Sequence, residues 1–179
     1  MLSARPNQLF ILALFSILLL AGCDDNPAQS GAQSETPASR PAMSSTRPVL
    51  DVYKSPSCGC CGKWMEHLDT HGVESVSHDA TQLGAANALL EVPAQYRACH
   101  TAVSAQGYVF EGHIPARYVK QFLSELPAGA VGLVVPGMPL GSPGMEQGDG
   151  FAPYDVLLLK NDGSTEVYAR VNAAAEQYE

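Results

Sequence analysis

The sequence predicts an α/β domain with a thioredoxin-like mixed sheet, flanking helices and extra C-terminal strands. Short apolar runs that are typical of strands alternate with segments whose apolar residues recur every three to four positions, as in an amphipathic helix. The resulting order is β-α-β-α-β-β-α, followed by more strands. A Cys-x-x-Cys pair, Cys58 and Cys61, stands where the first strand meets the first helix, which is typical of a thioredoxin-like domain.

The first half of the domain is predicted to contain two strands and two helices. The first strand covers residues 49–53 and ends at the turn of residues 55–57. The first helix has one apolar face, and Gly72 follows it as a natural stop. That face consists of Cys61, Trp64, Met65 and Leu68. A weaker strand is predicted over residues 73–78, and a second helix over residues 82–90.

The second half is predicted to contain two strands joined by a turn, a third helix and a final set of strands. The first two strands cover residues 99–103 and 108–112. Pro115 suits the first position of the helix because its φ is already fixed, and Pro127 ends the helix after Leu126. The last strands cover residues 130–135, 154–160 and 165–171.

Composition narrows the possible functions before any motif is considered. The chain has 179 residues, of which 46% are hydrophobic and 16% charged, so it can form one ordinary domain and is too apolar to be wholly disordered. Its 18 acidic and 10 basic residues give a formal net charge of −8. We expect no nucleic-acid partner, because the sequence has no basic stripe to neutralise phosphates.

The N-terminal segment predicts export and a lipid anchor. Arg5 precedes an apolar run over residues 9–20, which is shorter than the roughly 20 residues of a transmembrane helix. The run Leu20-Ala21-Gly22-Cys23 resembles a bacterial lipobox, in which the cysteine is lipidated and becomes the new N-terminus. We therefore predict a lipoprotein signal peptide over residues 1–22, with an ordinary secretory signal as the alternative.

A linker, a domain and a tail make up the rest of the predicted organisation. Residues 23–48 begin with the lipidated Cys23 and continue as a polar, Pro- and Ala-containing linker with no apolar period. Residues 49–171 form the domain, and residues 172–179 form a polar tail. Asp24 resembles the signal that keeps lipoproteins on the inner membrane, so we predict a periplasmic protein anchored there.

The densest chemical signal is the cluster Cys58-Gly59-Cys60-Cys61. Cys58 and Cys61 share a face one helical turn apart, where the positive end of the helix dipole stabilises thiolates. The cluster fits a structural disulfide, a thiol–disulfide oxidoreductase or a soft-metal site. Cys60 disfavours the first two, because a Cys58–Cys61 bridge leaves it unpaired and a third thiol scrambles exchange. Clustered thiolates with thioethers favour Cu(I), whereas zinc usually takes paired ligands at separated positions.

Later segments hold further candidate ligands. Cys99 and His100 open a strand that faces the Cys-x-x-Cys pair in a thioredoxin-like layout, and His113 ends the next strand. Residues 136–153 form a loop with nine Gly or Pro residues in eighteen. The loop carries the tripeptide Pro-Gly-Met twice, at Met138 and Met145. Methionines in such a loop favour a thioether role, with packing onto the sheet as the alternative. The corresponding alternatives are a buried apolar role for Cys99 and a capping or surface role for His113.

Four blocks of the sequence carry a family resemblance. They are YKSPSCGCCGKW (residues 53–64), ACHTAV (98–103), EGHIP (111–115) and VPGMPLGSPGME (135–146). In this order they resemble the CopG-type family of periplasmic copper-resistance proteins, long catalogued as a domain of unknown function. The resemblance implies a thioredoxin-like fold that binds copper through the Cys-x-Cys-Cys motif. The implied thiolate ligands are Cys58, Cys60, Cys61 and Cys99, with His100, His113, Met138 and Met145 as further candidates.

These observations lead to one main hypothesis and two alternatives. The main hypothesis is an exported protein that sequesters Cu(I), or interconverts Cu(I) and Cu(II), on a multi-thiolate site with more than one ion. The first alternative is an oxidoreductase that uses Cys58 and Cys61. The second is a metallochaperone that passes copper to an efflux pump. The expected partners are copper ions, the membrane through the lipid anchor, and copper efflux components; enzyme activity stays open.

Overall fold

The computed structural model describes residues 47–178, apart from residues 82, 85, 86, 88 and 89. The predicted signal peptide, the lipidation site Cys23 and the linker up to residue 46 therefore lie outside the described residues. Within the described part of the chain, no helix is both long enough and apolar enough to span a membrane.

A seven-stranded mixed sheet is the centre of the described domain. Its strands are β1 (Val49–Lys54), β2 (Glu74–Asp79), β3 (His100–Ser104), β4 (Val109–Glu111), β5 (Ala130–Val134), β6 (Tyr154–Lys160) and β7 (Thr165–Val171). Their order in the sheet is β2-β1-β3-β4-β5-β6-β7. β1 pairs in parallel with β2, and β4 with β5, whereas the other neighbours are antiparallel. The predicted α/β class with a mixed sheet and extra C-terminal strands is confirmed.

The first helix, α1 (Gly59–Thr70), starts slightly before the apolar face predicted from the sequence. Cys58 is its N-cap residue and has extended backbone, so the helical conformation begins inside the cysteine cluster. Gly72 follows the helix with a φ of +86°, a left-handed conformation that glycine adopts without strain.

The second long helix, α2 (Ala116–Glu125), lies between β4 and β5 in the chain. Pro115 is its N-cap residue, one position before the place predicted for it. Leu126 ends the helix in a left-handed conformation with a φ of +45°. Only part of the helix predicted over residues 82–90 is described: residues 83, 84 and 87 are helical.

The hydrophobic core lies where α1 and α2 pack against the sheet. In β1, Leu50 and Val52 are fully buried whereas Val49 is 40% exposed, so alternate residues face the core. The largest fully buried side chains are Trp64, Phe110, Phe122, Leu50 and Leu68. Burial of each such side chain contributes about 1.5–3 kcal/mol. The core therefore holds α1, whose first turn carries the cysteines, in a fixed position on the sheet.

The predicted polar tail, residues 172–179, packs onto the domain as far as it is described. Ala174–Gln177 forms a short 3-10 helix, and Gln177 is buried. The Gln177 side-chain oxygen accepts a hydrogen bond from the Tyr154 hydroxyl at 2.6 Å, and its Nε2 donates to the Gly141 carbonyl at 3.0 Å. Through Gln177, the C-terminal segment therefore connects β6 with the long loop that follows β5 by hydrogen bonds.

Candidate metal centre

The cysteine cluster lies where β1 ends and α1 begins. The Cys58 backbone N–H donates to the Ser55 carbonyl at 3.0 Å, so the chain turns tightly between strand and helix. Cys60 and Cys61 belong to the first turn of α1. Unpaired backbone N–H groups and the positive end of the helix dipole favour thiolates at this position.

Strand pairing brings a fourth cysteine to the same place. β3 runs antiparallel to β1, and Lys54 at the end of β1 lies opposite His100 at the start of β3. Cys99, the residue before β3, thereby reaches the first turn of α1, although it is 38 positions from Cys61 in the sequence. The register between β1 and β3 decides this contact.

The four sulfur atoms form one compact group. Cys60 Sγ lies 3.5 Å from Cys58 Sγ and 4.0 Å from Cys99 Sγ. Cys61 Sγ lies 3.4 Å from Cys99 Sγ. All four sulfur atoms lie within 4.8 Å of one another, which is close enough for them to share a metal ion.

Cys58 and Cys61 are joined by a disulfide, whereas Cys60 and Cys99 are free thiols. The sequence favours four thiolates and disfavours this bridge, so the structure differs here: it shows an oxidised form of the predicted centre. A disulfide sulfur is not a thiolate, and the thiolate is the form that binds metal. Two electrons and two protons must reach the bridge before all four residues can act as thiol ligands.

Two histidines form a second group with Cys99. His100 Nδ1 lies 3.4 Å from Cys99 Sγ, and His113 Nε2 lies 3.3 Å from it. The other nitrogen of His100 donates to the Gly112 carbonyl at 3.0 Å. The other nitrogen of His113 donates to the Pro143 carbonyl at 2.8 Å. Because a carbonyl only accepts, these nitrogens carry the ring protons, and the unprotonated nitrogens face Cys99, as in metal-binding histidines.

Burial sets the charge of these groups. His100 and His113 are fully buried, and burial lowers the pKa of His100 to about 3 and also lowers the pKa of His113. Both rings are therefore neutral near pH 7 and can bind a metal ion without losing a proton. Burial, together with Cys60 nearby, raises the pKa of the Cys99 thiol to about 12. A metal ion must displace that proton in order to bind the sulfur.

Trp64 supports both histidines from the core side. Its ring packs on the His100 ring, with centroids 4.2 Å apart. Its indole N–H donates to the Ile114 carbonyl at 2.8 Å, directly after His113. One fully buried side chain thus limits the motion of one candidate ligand and of the backbone beside the other.

The loop between β5 and β6 closes over the first turn of α1. Gly144 has a φ of +85°, and a Cβ there would meet the Cys60 carbonyl oxygen at 2.6 Å and the Trp64 backbone nitrogen at 2.8 Å. So close an approach of two backbones requires glycine. The hydrogen bond from His113 to Pro143 attaches the same loop to the residues after β4.

The predicted methionine ligands lie on this loop. Met138 is 54% exposed, and Met145 is half-buried. Together with Cys60 they line a surface cavity of about 490 Å³. The structure therefore brings all eight candidate ligands to one region: four cysteines, two histidines beside Cys99 and two methionines beside Cys60.

Glu111, the first residue of the block EGHIP, is buried in this region and is not among the predicted site residues. Its carboxyl group accepts hydrogen bonds from the Ala98 backbone N–H and from the Thr101 hydroxyl, which also contacts Asn87. Burial raises the pKa of Glu111 to about 7. The signal for its role is an acidic residue at the end of an otherwise apolar strand, where charge is costly unless it is paired.

Comparison with family models places part of this region in a defined family. The model described as "Protein of unknown function, DUF411" matches residues 96–145. That segment contains Cys99, both histidines and both methionines. No curated protein matches the chain.

Two solved structures are similar to the chain over about two thirds of its length. "Copper resistance protein copG- Form 1" is 38% identical with a TM-score of 0.64, and the match covers 69% of this chain and 96% of that chain. "Copper resistance protein copG- Form 2" is 40% identical with a TM-score of 0.65, and the match covers 69% of this chain and 98% of that chain. Because this identity extends over nearly the whole of both structures, the chain belongs to the CopG-type copper-resistance family.

Proposed function

We propose that this protein binds copper at the centre formed by Cys58, Cys60, Cys61 and Cys99 and thereby contributes to copper resistance. The observation that carries the proposal is the convergence of four cysteine sulfurs in one group, with two buried imidazoles beside one of them. Further support comes from the two similar solved structures, which are both described as copper-resistance proteins.

The donor set suits Cu(I). Thiolates are soft ligands that select Cu(I), and neutral imidazole binds copper well. A structural zinc site, by contrast, usually holds a single ion with four ligands of its own. In this protein Cys99 belongs both to the four-cysteine group and to the group with His100 and His113. A thiolate shared between two groups supports more than one copper ion, because one sulfur can bridge two ions.

Copper loading requires the reduced centre. With the bridge between Cys58 and Cys61 intact, only Cys60 and Cys99 remain as thiols. A thiol reductant that supplies two electrons and two protons restores the other two. The reduced protein is therefore the copper-loading form in this proposal, and oxidation of the bridge weakens copper binding.

The proposal includes interconversion of Cu(I) and Cu(II). The cysteine sulfurs favour Cu(I), whereas His100 and His113 supply neutral nitrogen donors that also suit Cu(II). Each conversion moves one electron between copper and an external redox partner, and the protein holds the ion throughout.

The cellular setting in this proposal rests on the N-terminal sequence. A lipid anchor at Cys23 would hold the domain on the periplasmic side of the inner membrane. The linker up to residue 48 would let the domain move away from the membrane surface. Copper efflux components are then the candidate acceptors of the bound ion.

The decisive experiment measures bound copper in the protein without residues 1–23. The protein is reduced, loaded with Cu(I) under anaerobic conditions and dialysed extensively, and copper is measured per chain. We expect more than one ion per chain in the wild type and loss of this copper when Cys58, Cys60 and Cys61 are all replaced by Ser. Failure of a protein with four titratable thiols to retain copper would contradict the proposal.

A single substitution separates binding from folding. Cys60→Ser should lower the copper stoichiometry more than it lowers the midpoint of thermal unfolding, because Cys60 is only partly buried at the surface of α1. Ser57→Ala, which changes a neighbouring exposed hydroxyl, is the matched control. Equal copper content in Cys60→Ser and the wild type would remove Cys60 from the ligand set.

The disulfide favours one other candidate function, thiol–disulfide exchange by Cys58 and Cys61. This function predicts turnover in an insulin-reduction assay that survives Cys60→Ser and is abolished by Cys58→Ser. Cys60 Sγ, 3.5 Å from Cys58 Sγ, is placed to attack the bridge and divert the exchange. We therefore expect little turnover in the wild type, and turnover at the level of a dedicated oxidoreductase would put this function first.

A further inference from the structure

We infer that the outer edge of β2 is a pairing surface for a second copy of this chain, and that Asp69 keeps this edge closed. β2 is the first strand of the sheet, and among the described residues only β1 pairs with it. The inference goes beyond the proposed function and does not depend on copper binding.

β2 lacks the features with which sheet edges usually resist pairing. Its register with β1 runs without a bulge over the whole of Glu74–Asp79, and the strand contains no proline and no lysine. Val76, near its centre, is 40% exposed. β7 at the other edge differs, because a register shift interrupts its pairing with β6. β2 is therefore the edge at which strand pairing can continue.

Hydrogen bonds show which residues of β2 face outward. The Glu74 N–H donates to the Pro48 carbonyl at 2.8 Å, on the side of β1. The next N–H, that of Ser75, donates to the Asp69 carboxylate at 2.9 Å, on the opposite side. Because successive residues of a strand alternate in direction, Ser77 also turns its N–H and carbonyl groups to the outer edge.

Asp69 occupies the place that a pairing strand would take. Its carboxylate accepts hydrogen bonds from the Ser75 N–H at 2.9 Å and from the Ser75 hydroxyl at 3.1 Å. Asp69 lies in the last turn of α1, where the negative end of the helix dipole disfavours a carboxylate. The two hydrogen bonds offset this cost, and they also engage the N–H that a second strand would need. Asp69 therefore caps the edge.

The residues of β2 complement a second β2 that runs antiparallel to it about a two-fold axis at Val76. In this register Ser75 of each copy lies opposite Ser77 of the other, so their outward N–H and carbonyl groups meet. Glu74 lies opposite His78, so an acidic residue faces a basic one. The Val76 side chains meet on the axis and shield each other from water. The pairing closes as a two-fold dimer once the cap on Ser75 is released.

The test measures self-association after removal of the cap. The protein without residues 1–23, which retains every described residue, is reduced, freed of metal and studied by sedimentation equilibrium. Asp69→Ala removes both hydrogen bonds to Ser75. We expect its dimer Kd to be about tenfold lower than that of the wild type, which corresponds to about 1.4 kcal/mol. Asp69→Asn is the matched control and should associate like the wild type, because its side-chain oxygen still accepts from the Ser75 N–H.

Second substitutions in Asp69→Ala show whether the dimer uses β2. Ser77→Pro removes an outward N–H without removing a hydrogen bond to β1. Val76→Lys places two like charges on the two-fold axis. Each should restore the monomer. Val49→Lys is the matched control, because Val49 is also 40% exposed but belongs to β1, and this variant should remain dimeric.

Three results would overturn the inference. Asp69→Ala that associates no more than the wild type would show that the edge does not pair. A dimer that persists in Val76→Lys and Ser77→Pro would place the interface elsewhere, and Val76→Lys decides alone if circular dichroism shows Ser77→Pro to be unfolded. Association of Asp69→Asn as strong as that of Asp69→Ala would show that the hydrogen bond to Ser75 does not close the edge. Copper content is a separate measurement, so none of these results bears on the proposed function.

Discussion

His100 and His113 show how backbone contacts decide which ring nitrogen of a candidate metal ligand carries the proton. Each ring donates one N–H to a carbonyl, Gly112 or Pro143, and turns its unprotonated nitrogen toward Cys99. The sequence indicates that these histidines are candidates, but it does not indicate which nitrogen is free. That choice follows from contacts with residues 12 and 30 positions away.

A few local hydrogen bonds likewise define the role of Glu111. Its carboxyl group anchors the Ala98 N–H, one residue before Cys99, and the Thr101 hydroxyl in β3. The Thr101 hydroxyl contacts both Glu111 and Asn87 but has a single proton to donate. An amide at position 111 could accept from Ala98 and donate to Thr101, which would satisfy all three groups.

We predict that Glu111→Ala destabilises the metal-free protein by about 1–3 kcal/mol, because the Ala98 N–H loses its acceptor and the buried Thr101 hydroxyl loses one of its two hydrogen-bond partners. Glu111→Gln, the matched control, should retain most of the stability. Burial raises the pKa of Glu111 from 4.5 to about 7, so its contribution is complete below pH 4.5 and is lost as the pH rises through 7. Urea unfolding of the three proteins at acidic and alkaline pH checks this: Glu111→Gln should gain on the wild type as the pH rises, and a pH-independent difference would contradict the assignment.

At the scale of elements, the loop after β5 and helix α1 meet through one glycine. Gly144 allows the loop backbone to approach the Cys60 carbonyl and the Trp64 nitrogen. Gly62 lies on the same helix, and in the described part of the chain no atom lies within 4 Å of the position that its Cβ would take. An alanine at position 144 would clash with backbone, whereas an alanine at position 62 would not. Comparing the two substitutions therefore separates the effect of a clash from the effect of replacing a glycine.

We predict that Gly144→Ala lowers the stability by about 1–3 kcal/mol, because the new methyl group clashes with backbone and the residue keeps a left-handed φ. Gly62→Ala, in a helix interior, should instead raise the stability by up to about 1 kcal/mol. Thermal unfolding of both variants measures the difference. Copper content should fall in Gly144→Ala alone, and a Gly144→Ala protein as stable as the wild type would show that the loop does not depend on this contact.

At the scale of the whole molecule, His67 links the two long helices. Its Nε2 accepts a hydrogen bond from the Ala116 backbone N–H, the first residue of α2, at 3.0 Å. His67 is 9% exposed. Burial, with His71 nearby, lowers the pKa of His67 from 6.5 to about 4. Protonation would remove the acceptor that caps α2 and leave a buried charge between the helices.

We predict that His67 makes the metal-free protein acid-sensitive. Its folded-state pKa lies below the unfolded value, so its contribution is complete above pH 6.5 and is lost as the pH falls from 6.5 to about 4. His67→Gln should show a flatter dependence of the urea midpoint on pH over this range, whereas Ser57→Ala, which removes an exposed hydroxyl and no titratable group, should follow the wild type. Parallel curves for His67→Gln and the wild type would rule out this role. Glu111 is present in all three proteins, so its contribution to the pH dependence of stability cancels from the comparison.

The extent of correct prediction differs between elements for physical reasons. The bounds of β6 and β7 agree with the sequence because a turn of small polar residues separates two apolar runs. α1 begins at Gly59, ahead of the predicted apolar face, because its first turn is defined by backbone geometry after Cys58. The 3-10 helix Ala174–Gln177 has no apolar period, and the contacts of Gln177 with Tyr154 and Gly141 decide its place.

The sequence by itself determined the strands, the two described long helices and the position of the Cys-x-Cys-Cys motif at the start of α1, because these depend on neighbours within one or two turns of chain. Only the tertiary structure decided that Cys99 reaches this motif, since that contact depends on the pairing of β3 with β1. It also decided the pairing of Cys58 with Cys61, the unprotonated nitrogen of each histidine, and the contact of the loop between β5 and β6 with α1. Sheet order and register bring together residues that are far apart in the chain, and burial then sets their charge.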